Sequence, residues 1–312
     1  MKAVFYDGKD AVYREDYPIP EPGEGESLVQ ILLSAVCNTD KEVLKGYKPD
    51  FRGVMGHEFV GKVITSSDPS LVGKRVVGEL NEECGRCIYC RTGRPHHCTN
   101  RKVIGLTGRD GCFAEYMTIA TRLLHEVPDS LPTRIAIFTE PLAAALEILN
   151  QVHVRPDLNA AVIGDGRLAL FVAQALALNG IDLTVIGRHP EKLETFSRFA
   201  KTATRGETEG YELVVDATGS PSGLADAMNL VRKKGTIVIK STYAGNASIN
   251  MSQAVVNELT IVGSRCGPFE PALKLLETGR VQLPPVRLYE LKDFREAFSS
   301  PAFKAGFSFE ES

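Results

Sequence analysis

Four cysteines stand within fifteen residues of this chain, and no other feature limits its fold so strongly. Cys84, Cys87, Cys90 and Cys98 lie in the segment CGRCIYCRTGRPHHC, a C-x2-C-x2-C-x7-C spacing. Four thiolates so closely spaced are typical of a closed, tetrahedral structural zinc site. An iron–sulfur cluster also takes four cysteines, but the spacing and the neighbouring residues favour zinc. Because four thiolates leave no coordination position open, we expect this zinc to stabilise the fold and to take no part in catalysis.

Composition and charge indicate a globular protein and argue against two classes of partner. Of the 312 residues, 43% are hydrophobic and 24% are charged, and the net charge is −3. This composition argues against bulk disorder, and the charge lacks the basic excess of a nucleic-acid or anionic-membrane binder. No apolar run approaches the length of a membrane span, and the N-terminus lacks a secretory signal. We therefore expect a cytoplasmic protein whose cysteines are metal ligands or thiols, with no nucleic-acid or membrane partner.

The sequence pattern changes between residues 130 and 155. Before this point, short apolar or alternating segments separated by turn residues predict an antiparallel, barrel-like β domain. These segments are MKAVFY, ESLVQILLSAV, HEFVGKVITS, GKRVVGEL and CFAEYMTI. Afterwards strands alternate with helices, which predicts a parallel sheet flanked by helices. The segments there are AAVIG, RLALFVAQALALNG, LTVIG, YELVVDATG, GTIVIKS and ELTIVGS, and FEPALKLLETG predicts one more helix.

Residues of metal-ligand type also occur outside the cysteine cluster. Cys37 begins the segment CNTD, and His57 lies twenty residues later in GHE. Taken singly, His57 is more often structural and Cys37 more often a small buried hydrophobic residue. Together with the first cluster they favour a catalytic zinc site, which takes three protein ligands and keeps one position open. Glu140, in FTEPLAAALE, is a candidate third ligand; from spacing alone it is equally an acid favoured at a helix N-terminus.

A glycine-rich turn between a predicted strand and a predicted helix indicates a dinucleotide site. Gly164, Gly166 and Ala169 fit the pattern G-x-G-x-x-G/A. The first glycine allows the tight turn, the second lets the pyrophosphate approach the backbone, and the alanine keeps helix and strand close. The N–H groups at the start of the helix would bind the phosphates. We expect the cofactor-binding residues of this turn to be Gly164, Asp165, Gly166, Arg167 and Leu168.

The end of the next predicted strand indicates which dinucleotide binds. An NAD site carries Asp or Glu there, whereas this chain has Gly187 and Arg188, followed by His189 and Lys192. Gly187 leaves room, and the planar guanidinium of Arg188 suits a 2′-phosphate. We therefore expect NADP(H) to bind in preference to NAD(H). One alternative interpretation is a solvated basic helix start. Another is that Pro190 starts the helix and turns Arg188 toward solvent, which would leave a tolerant site that accepts both cofactors.

The order of these motifs resembles that of the zinc-dependent medium-chain alcohol and polyol dehydrogenases over essentially the whole chain. The motifs are C-x-T-D, GHE, the four-cysteine segment, E-P-L and a nucleotide-binding fold. The resemblance implies an α/β protein with a GroES-like antiparallel β-barrel catalytic domain and a doubly wound Rossmann parallel-sheet domain. The first would span residues 1–150, with a structural-zinc lobe at 81–100, and be completed by 265–312. The second would span residues 151–264.

The resemblance also implies roles for residues around Cys37. Cys37, His57 and Glu140 would hold the catalytic zinc, with Glu58 as an exchanging or alternative ligand. Thr39 would take the substrate proton, and Asp40 would orient the histidine. Where many relatives have a histidine five residues after the cysteine, this chain has Glu42. For the cofactor, the resemblance places Ala217-Thr218-Gly219 and Lys240-Ser241 near the ribose and nicotinamide, and Lys304 near the phosphates.

The function implied is zinc-dependent hydride transfer between an alcohol or polyol, or its aldehyde or ketone, and a nicotinamide cofactor, with two zinc ions per chain. A homodimer or homotetramer is also implied, and TIVGSRCG is a candidate exposed strand for subunit pairing. A zinc-free quinone or enoyl reductase is an alternative of the same fold, against which Cys37, His57 and Glu140 argue. Another is a zinc-stabilised protein that binds dinucleotide without turnover, which the missing relay histidine supports.

Overall fold

The computed structural model describes residues 1–243 and 246–309, and the chain divides into two compact units. One unit combines Met1–Glu140 with Phe269–Ser312, and the other is Pro141–Pro268. The family resemblance implies divisions after residues 150 and 264. Within the described part of the chain, no helix has both the length and the apolar character needed to cross a bilayer.

The elements before residue 152 are mostly strands. The strands are β1 (Ala3–Tyr6), β2 (Ala11–Arg14), β3 (Glu26–Ala35), β4 (Gly53–Val54), β5 (Glu58–Ser66), β6 (Arg75–Gly78), β7 (Asn81–Glu82), β8 (Lys102–Ile104), β9 (Gly108–Arg109), β10 (Tyr116–Ala120) and β11 (Leu124–Glu126). The helices are α1 (Asn38–Leu44), α2 (Ile88–Arg91), α3 (Thr133–Ala136) and α4 (Thr139–Gln151).

Strands and helices alternate in the rest of the chain. Between residues 159 and 263 the elements are β12 (Asn159–Ile163), α5 (Arg167–Ala177), β13 (Asp182–Ile186), α6 (Pro190–Leu193), β14 (Lys201–Ala203), β15 (Tyr211–Asp216), α7 (Gly223–Leu230), β16 (Val231–Ile239), α8 (Met251–Val256) and β17 (Thr260–Gly263). They are followed by α9 (Phe269–Glu277), β18 (Val286–Tyr289), α10 (Phe294–Ser299) and β19 (Lys304–Ser308).

The unit that holds the chain's first residues is built on a seven-stranded sheet. Its order is β11-β6-β5-β3-β19-β18, and β10 also pairs with β3. All pairs in it are antiparallel except β18 with β19. In β3, Val29, Ile31 and Leu33 are buried and alternate with less buried neighbours, as a strand with one face on the core requires. The predicted antiparallel β domain is thus confirmed.

The register of three neighbouring strands gathers residues from distant parts of the chain. Ala35, the last residue of β3, pairs with Glu58, the first residue of β5. On the other side of β3, Ala35 pairs with Gly306 of β19. The start of β5 and the start of β19 therefore lie beside the segment that leaves β3. Cys37, His57, Glu58 and Lys304 all belong to this end of the sheet.

The other unit is a six-stranded parallel sheet in the order β14-β13-β12-β15-β16-β17. Numbered along the chain, this is the doubly wound order 3-2-1-4-5-6, whose direction of winding reverses between β12 and β15. In such sheets ligands bind beyond the carboxyl ends of the strands at the reversal. The helix after β12 is α5. It ends at Ala177, and Gly180, just beyond it, has a φ of +70°, which glycine adopts readily after a helix. The predicted parallel α/β domain is confirmed.

Candidate functional site

Cys84, Cys87, Cys90 and Cys98 converge in the segment between β7 and β8. Their four sulfur atoms lie within 4.8 Å of one another. Sulfur atoms on a tetrahedral zinc ion are about 3.8 Å apart, since each Zn–S bond is about 2.3 Å long. The short helix α2 begins directly after Cys87, and a 3₁₀ turn over Pro95–His97 ends at Cys98. No disulfide links these four cysteines.

The surroundings of the four sulfur atoms suit a bound cation. The sulfur of Cys98 accepts the N–H of Cys84 at 3.3 Å. The N–H groups of Cys90 and Thr99 lower the pKa of Cys87 to about 6, whereas burial and the neighbouring thiols raise the pKa of Cys90 to about 12. Several thiolates at this spacing repel one another, so they cannot all ionise unless a cation neutralises them. The donor set therefore fits a structural zinc ion.

Cys37, His57 and Glu58 form the other group of metal-ligand type among the described residues. Their ligand atoms also lie within 4.8 Å of one another. His57 and Glu58 are buried, and Cys37 is half-buried. A thiolate, an imidazole and a carboxylate are the donor types of catalytic zinc sites, so this group also fits the metal. That these three residues are ligands stays a prediction.

Gly56, directly before His57, lets the backbone lie against the ring of Phe113. Its φ is +92°, and a Cβ at this position would lie 2.4 Å from the ring of Phe113. Phe113 is itself fixed by an edge-to-face contact with Phe307, whose ring centroid is 5.1 Å away. Any side chain at residue 56 would displace this aromatic core. The glycine of the GHE motif is therefore required by packing and by backbone conformation together.

One buried carboxylate lies between the backbone of Cys37 and the imidazole of His57. Oδ2 of Asp40 accepts the backbone N–H of Cys37 at 2.8 Å, which caps helix α1, and Oδ1 lies 3.2 Å from Nδ1 of His57. Burial lowers the pKa of His57, but Asp40 and Cys37 raise it by more, so the pKa lies well above its usual value. Thr39, on the same helix, has its hydroxyl oxygen 3.6 Å from the sulfur of Cys37.

Lys304 has a buried partner that its position in the sequence does not identify. Its ammonium, at the start of β19, forms an ion pair with Oε2 of Glu58, and both side chains are almost fully buried. The expected approach of Lys304 to the cofactor phosphates stays a prediction. A lysine opening an otherwise apolar strand, KAGFSF, was the available signal that it has a buried partner.

Three other candidate residues do not belong to the Cys37 group. Glu140 is the second residue of α4, is half-buried, and is not among the residues whose ligand atoms converge. Glu42 forms an ion pair with Lys45 at 2.8 Å. Cys112 is fully buried and its thiol donates to the carbonyl oxygen of Glu58 at 3.4 Å. Burial raises the pKa of Cys112 well above its usual value, so it stays a neutral thiol.

The glycine turn after β12 has the form that a bound pyrophosphate needs. Gly164 has a φ of +124°, and a Cβ there would lie 2.7 Å from the carbonyl oxygen of Ala217. Gly166 is the N-cap of α5, and the space where its Cβ would stand is open. Arg167 and Leu168 form the first turn of α5, whose leading N–H groups have no partner within the helix. The residues present therefore fit a dinucleotide phosphate.

The residues predicted to bind a 2′-phosphate lie at and just after the carboxyl end of β13. Gly187 is buried, Arg188 and His189 are exposed, and Lys192 is half-buried. Helix α6 begins at Pro190, directly after His189. The carboxylate of Asp165, from the glycine turn, accepts the backbone N–H groups of both residues 188 and 189, at 2.7 and 2.9 Å. Sequence analysis did not anticipate this contact.

Thr218 and Lys240 lie at the carboxyl ends of β15 and β16. The N–H and hydroxyl of Thr218 both donate to Oδ1 of Asp216, at 2.9 and 2.8 Å, and Ser241 donates to the same oxygen at 2.9 Å. The ammonium of Lys240 donates to three oxygens, among them the carbonyl of Ala144. These side chains therefore brace the edge of the sheet at which ligands bind in this fold.

Comparison with known proteins yields two family models and many relatives. The model "Alcohol dehydrogenase GroES-like domain" matches residues 23–129, and "Zinc-binding dehydrogenase" matches 168–278. D-arabinitol dehydrogenase 1 of Uromyces fabae is 26% identical over 97% of this chain and 94% of its own length. Sorbitol dehydrogenase of Halalkalibacterium halodurans is 27% identical over 86% of this chain and 85% of its own length. The crystal structure of a zinc-binding dehydrogenase of Sinorhizobium meliloti 1021 bound to NADP has a TM-score of 0.88 at 26% identity, covering 98% of both chains.

We expect Cys90→Ser to lower the melting temperature and to remove about one zinc ion per chain, the stoichiometry of a four-thiolate site. Structural zinc sites contribute about 10–16 kcal/mol of binding free energy in small peptides, and losing one thiolate forfeits much of it. Metal analysis and thermal unfolding of the purified protein measure both effects. Cys266→Ser, which changes a thiol outside both groups, is the control and should alter neither. Equal zinc content in Cys90→Ser and the unmutated protein would contradict the assignment.

Proposed function

Because the chain belongs to the family of zinc-type medium-chain alcohol and polyol dehydrogenases, we propose that Cys37 and His57 hold the zinc ion at which its substrate reacts. The protein is an oxidoreductase that uses zinc and a nicotinamide cofactor and acts on a small alcohol or its carbonyl counterpart. The observation that carries the proposal is the buried group of Cys37, His57 and Glu58, which Asp40 orients.

We propose two zinc ions per chain with separate roles. The four-cysteine site would hold one ion permanently, because its shell is complete without water or substrate. The Cys37 site would hold the other and leave a position open for the substrate oxygen. The thermodynamic expectation is that the first ion is required for folding and the second for turnover.

The chain's residues suggest how the reaction proceeds. Cys37 and His57 would hold a zinc ion, which would supply the Lewis-acid chemistry that lowers the pKa of an alcohol hydroxyl. Thr39 stands beside the Cys37 sulfur, and we assign its hydroxyl the role of accepting the substrate's proton. The nicotinamide cofactor would supply the hydride acceptor, so that the alcohol is oxidised to a carbonyl compound. Asp40, whose Oδ1 lies 3.2 Å from Nδ1 of His57, would favour the orientation of the imidazole needed for ligation.

The third protein ligand is a carboxylate, for which the chain has two candidates. Glu58 lies with Cys37 and His57, but Lys304 holds one of its oxygens and competes with a metal for the carboxylate. Glu140 is supported by the E-P-L motif of the family. We propose Glu140 as the ligand of the working enzyme, with Glu58 as the alternative ligand that can exchange with it.

We propose NADP(H) as the preferred cofactor. Gly187 offers no side chain at the end of β13, and Arg188 and His189 are exposed beside it. Lys192 adds a further positive charge one turn later. The relative from Sinorhizobium meliloti is bound to NADP, which supports but does not decide the preference.

We also propose that the protein is a homodimer or homotetramer. Strand β17 is the edge of the parallel sheet, and its residues are exposed or half-buried. Helix α8, which precedes β17, exposes Met251, Val255 and Val256. An unpaired strand edge next to exposed apolar side chains is a favourable surface for pairing with a second copy.

Cys37→Ser is expected to abolish alcohol oxidation and to remove one zinc ion, because serine is a much poorer zinc ligand than a thiolate. Dinucleotide binding should stay within about twofold, since the nucleotide residues belong to the other unit, and twofold is well under 1 kcal/mol. The test is a screen of alcohols and polyols with NADP⁺ and NAD⁺ followed by nicotinamide absorbance, with metal content measured on the same sample. Full activity in Cys37→Ser would overturn the proposal.

Glu140→Gln is expected to lose the second zinc ion, whereas the double variant Glu58→Gln/Lys304→Met is expected to retain it. Glutamine cannot replace a carboxylate as an anionic ligand. The double variant removes both partners of the buried ion pair, and such replacement is much less destabilising than removal of one partner. Zinc content of both variants is measured beside Cys37→Ser. Retention of zinc in Glu140→Gln, together with its loss in the double variant, would make Glu58 the ligand.

Arg188→Ala is expected to lower kcat/KM for NADPH by roughly tenfold or more, because one charge-assisted contact contributes about 1.5–3 kcal/mol. The value for NADH should change by less than about threefold, which is under 1 kcal/mol, since NADH has no 2′-phosphate. Both values are measured with one carbonyl substrate. Lys201→Ala, an exposed cation that is paired with Asp182, is the control. An NADPH-to-NADH ratio that the arginine substitution leaves unchanged would show that Arg188 does not contact the 2′-position.

A further inference from the structure

The glycine turn of the nucleotide site contains a carboxylate that the family motif does not specify. Asp165 occupies the variable position between Gly164 and Gly166. Its side chain crosses from the end of β12 to the end of β13, where Oδ2 accepts the N–H groups of Arg188 and His189 and lies 2.9 Å from Nδ1 of His189. Oδ2 makes all three contacts, so among the described residues Oδ1 is left for a further partner.

Asp165 fills the place where a dinucleotide site normally has the acid of its second strand. In NAD-binding folds, an Asp or Glu at the end of that strand binds the 2′-hydroxyl of the adenosine ribose. Here that strand ends in Gly187, which has no side chain. A Cβ on residue 187 would lie 2.7 Å from Oδ2 of Asp165. Gly187 is therefore a glycine because the Asp165 carboxylate already stands there, so the strand end is not an empty space.

The Asp165 carboxylate is charged. Burial raises its pKa, but the N–H groups of Arg188 and His189 and the imidazole of His189 lower it by more, so the net pKa is below its ordinary value. A full negative charge thus lies within hydrogen-bond distance of the backbone of Arg188. A 2′-phosphate that reaches the Arg188 guanidinium must approach this carboxylate, and the two like charges repel.

We infer that Asp165 is a specificity-determining residue: its carboxylate binds the adenosine ribose hydroxyl and opposes a 2′-phosphate. This inference rests on the nucleotide site of the proposed function. Arg188 and Asp165 then act in opposite directions on the same phosphate. The chain accepts both forms of the cofactor, with a preference for NADP(H) that Asp165 keeps small.

Asp165→Asn tests this inference, because asparagine has the same shape and its amide oxygen can accept the same backbone N–H groups. Removing the charge should increase the ratio of the NADH to the NADPH dissociation constant by about tenfold. The constants are measured from nicotinamide fluorescence without any alcohol or carbonyl substrate, and competition by 2′,5′-ADP and 5′-AMP gives the same ratio for the adenosine half alone. Combining Asp165→Asn with Arg188→Ala should abolish the gain, since the phosphate then lacks its cation.

Asp182→Asn is the matched control. Asp182 is the first residue of β13, at the end of the strand remote from Gly187, and pairs with Lys201. The same loss of charge there should leave the ratio unchanged. Asp165→Ala removes the carboxylate without keeping its hydrogen bonds, and should change the ratio in the same direction if Asp165→Asn folds poorly.

The outcomes separate this inference from the proposed function. If Asp165→Asn and Asp165→Ala bind both dinucleotides with the ratio of the unmutated protein, Asp165 does not determine specificity and the inference is overturned, while the proposed function stands. If the unmutated protein binds neither dinucleotide, the proposed function fails together with the inference.

Discussion

The carboxylate of Asp40 lies between the backbone of Cys37 and the imidazole of His57, the two residues on which the proposed chemistry depends. One of its oxygens binds the backbone N–H of Cys37 and so fixes the start of α1, and the other faces His57 across 3.2 Å. Asp40 is fully buried. Its Oδ2 is held by this hydrogen bond, whereas Oδ1 and Nδ1 of His57 lie at ion-pair distance and have no hydrogen-bond partner among the described residues. The carboxylate thus fixes the start of the helix that follows Cys37 and places an acceptor beside the imidazole.

The register of β3 against β5 and β19 supplies the rest of this geometry. Ala35 pairs with Glu58 on one side and with Gly306 on the other, which brings Cys37, Glu58 and Lys304 to one end of the sheet. A shift of one residue in either pair would turn the side chains to the opposite face. Such a shift would also move Phe307 of β19, whose ring packs edge-to-face against Phe113, the ring that lies over Gly56. Aromatic packing in the core therefore supports the register in which these polar residues meet.

Features that depend on nearby residues could be predicted from spacing and pattern, whereas the grouping of Cys37, His57 and Glu58, which depends on strand register, was anticipated from residue types and the family resemblance. The four-cysteine cluster and the glycine turn are defined within short segments, so spacing alone indicated their geometry. The antiparallel and parallel domains followed from hydrophobic patterns and were confirmed. The ion pair of Lys304 with Glu58 was not foreseen, because the two residues are brought together only by the pairing of β19 and β5 with β3. No local pattern around either residue contains that information.

Asp40 and Asp165 are two carboxylates whose hydrogen bonds to backbone N–H groups do not by themselves require an acid at these positions. Each carboxylate caps backbone N–H groups near a helix start, a task that asparagine performs about as well as aspartate. What aspartate adds is a full negative charge. At Asp40 the carboxylate faces an imidazole in a group of metal-ligand donors. At Asp165 the charge stands beside the cations of the strand end, where it disfavours a phosphate. The backbone contacts of Asp165 need only a hydrogen-bond acceptor, so its charge points to the ligand that this unit binds.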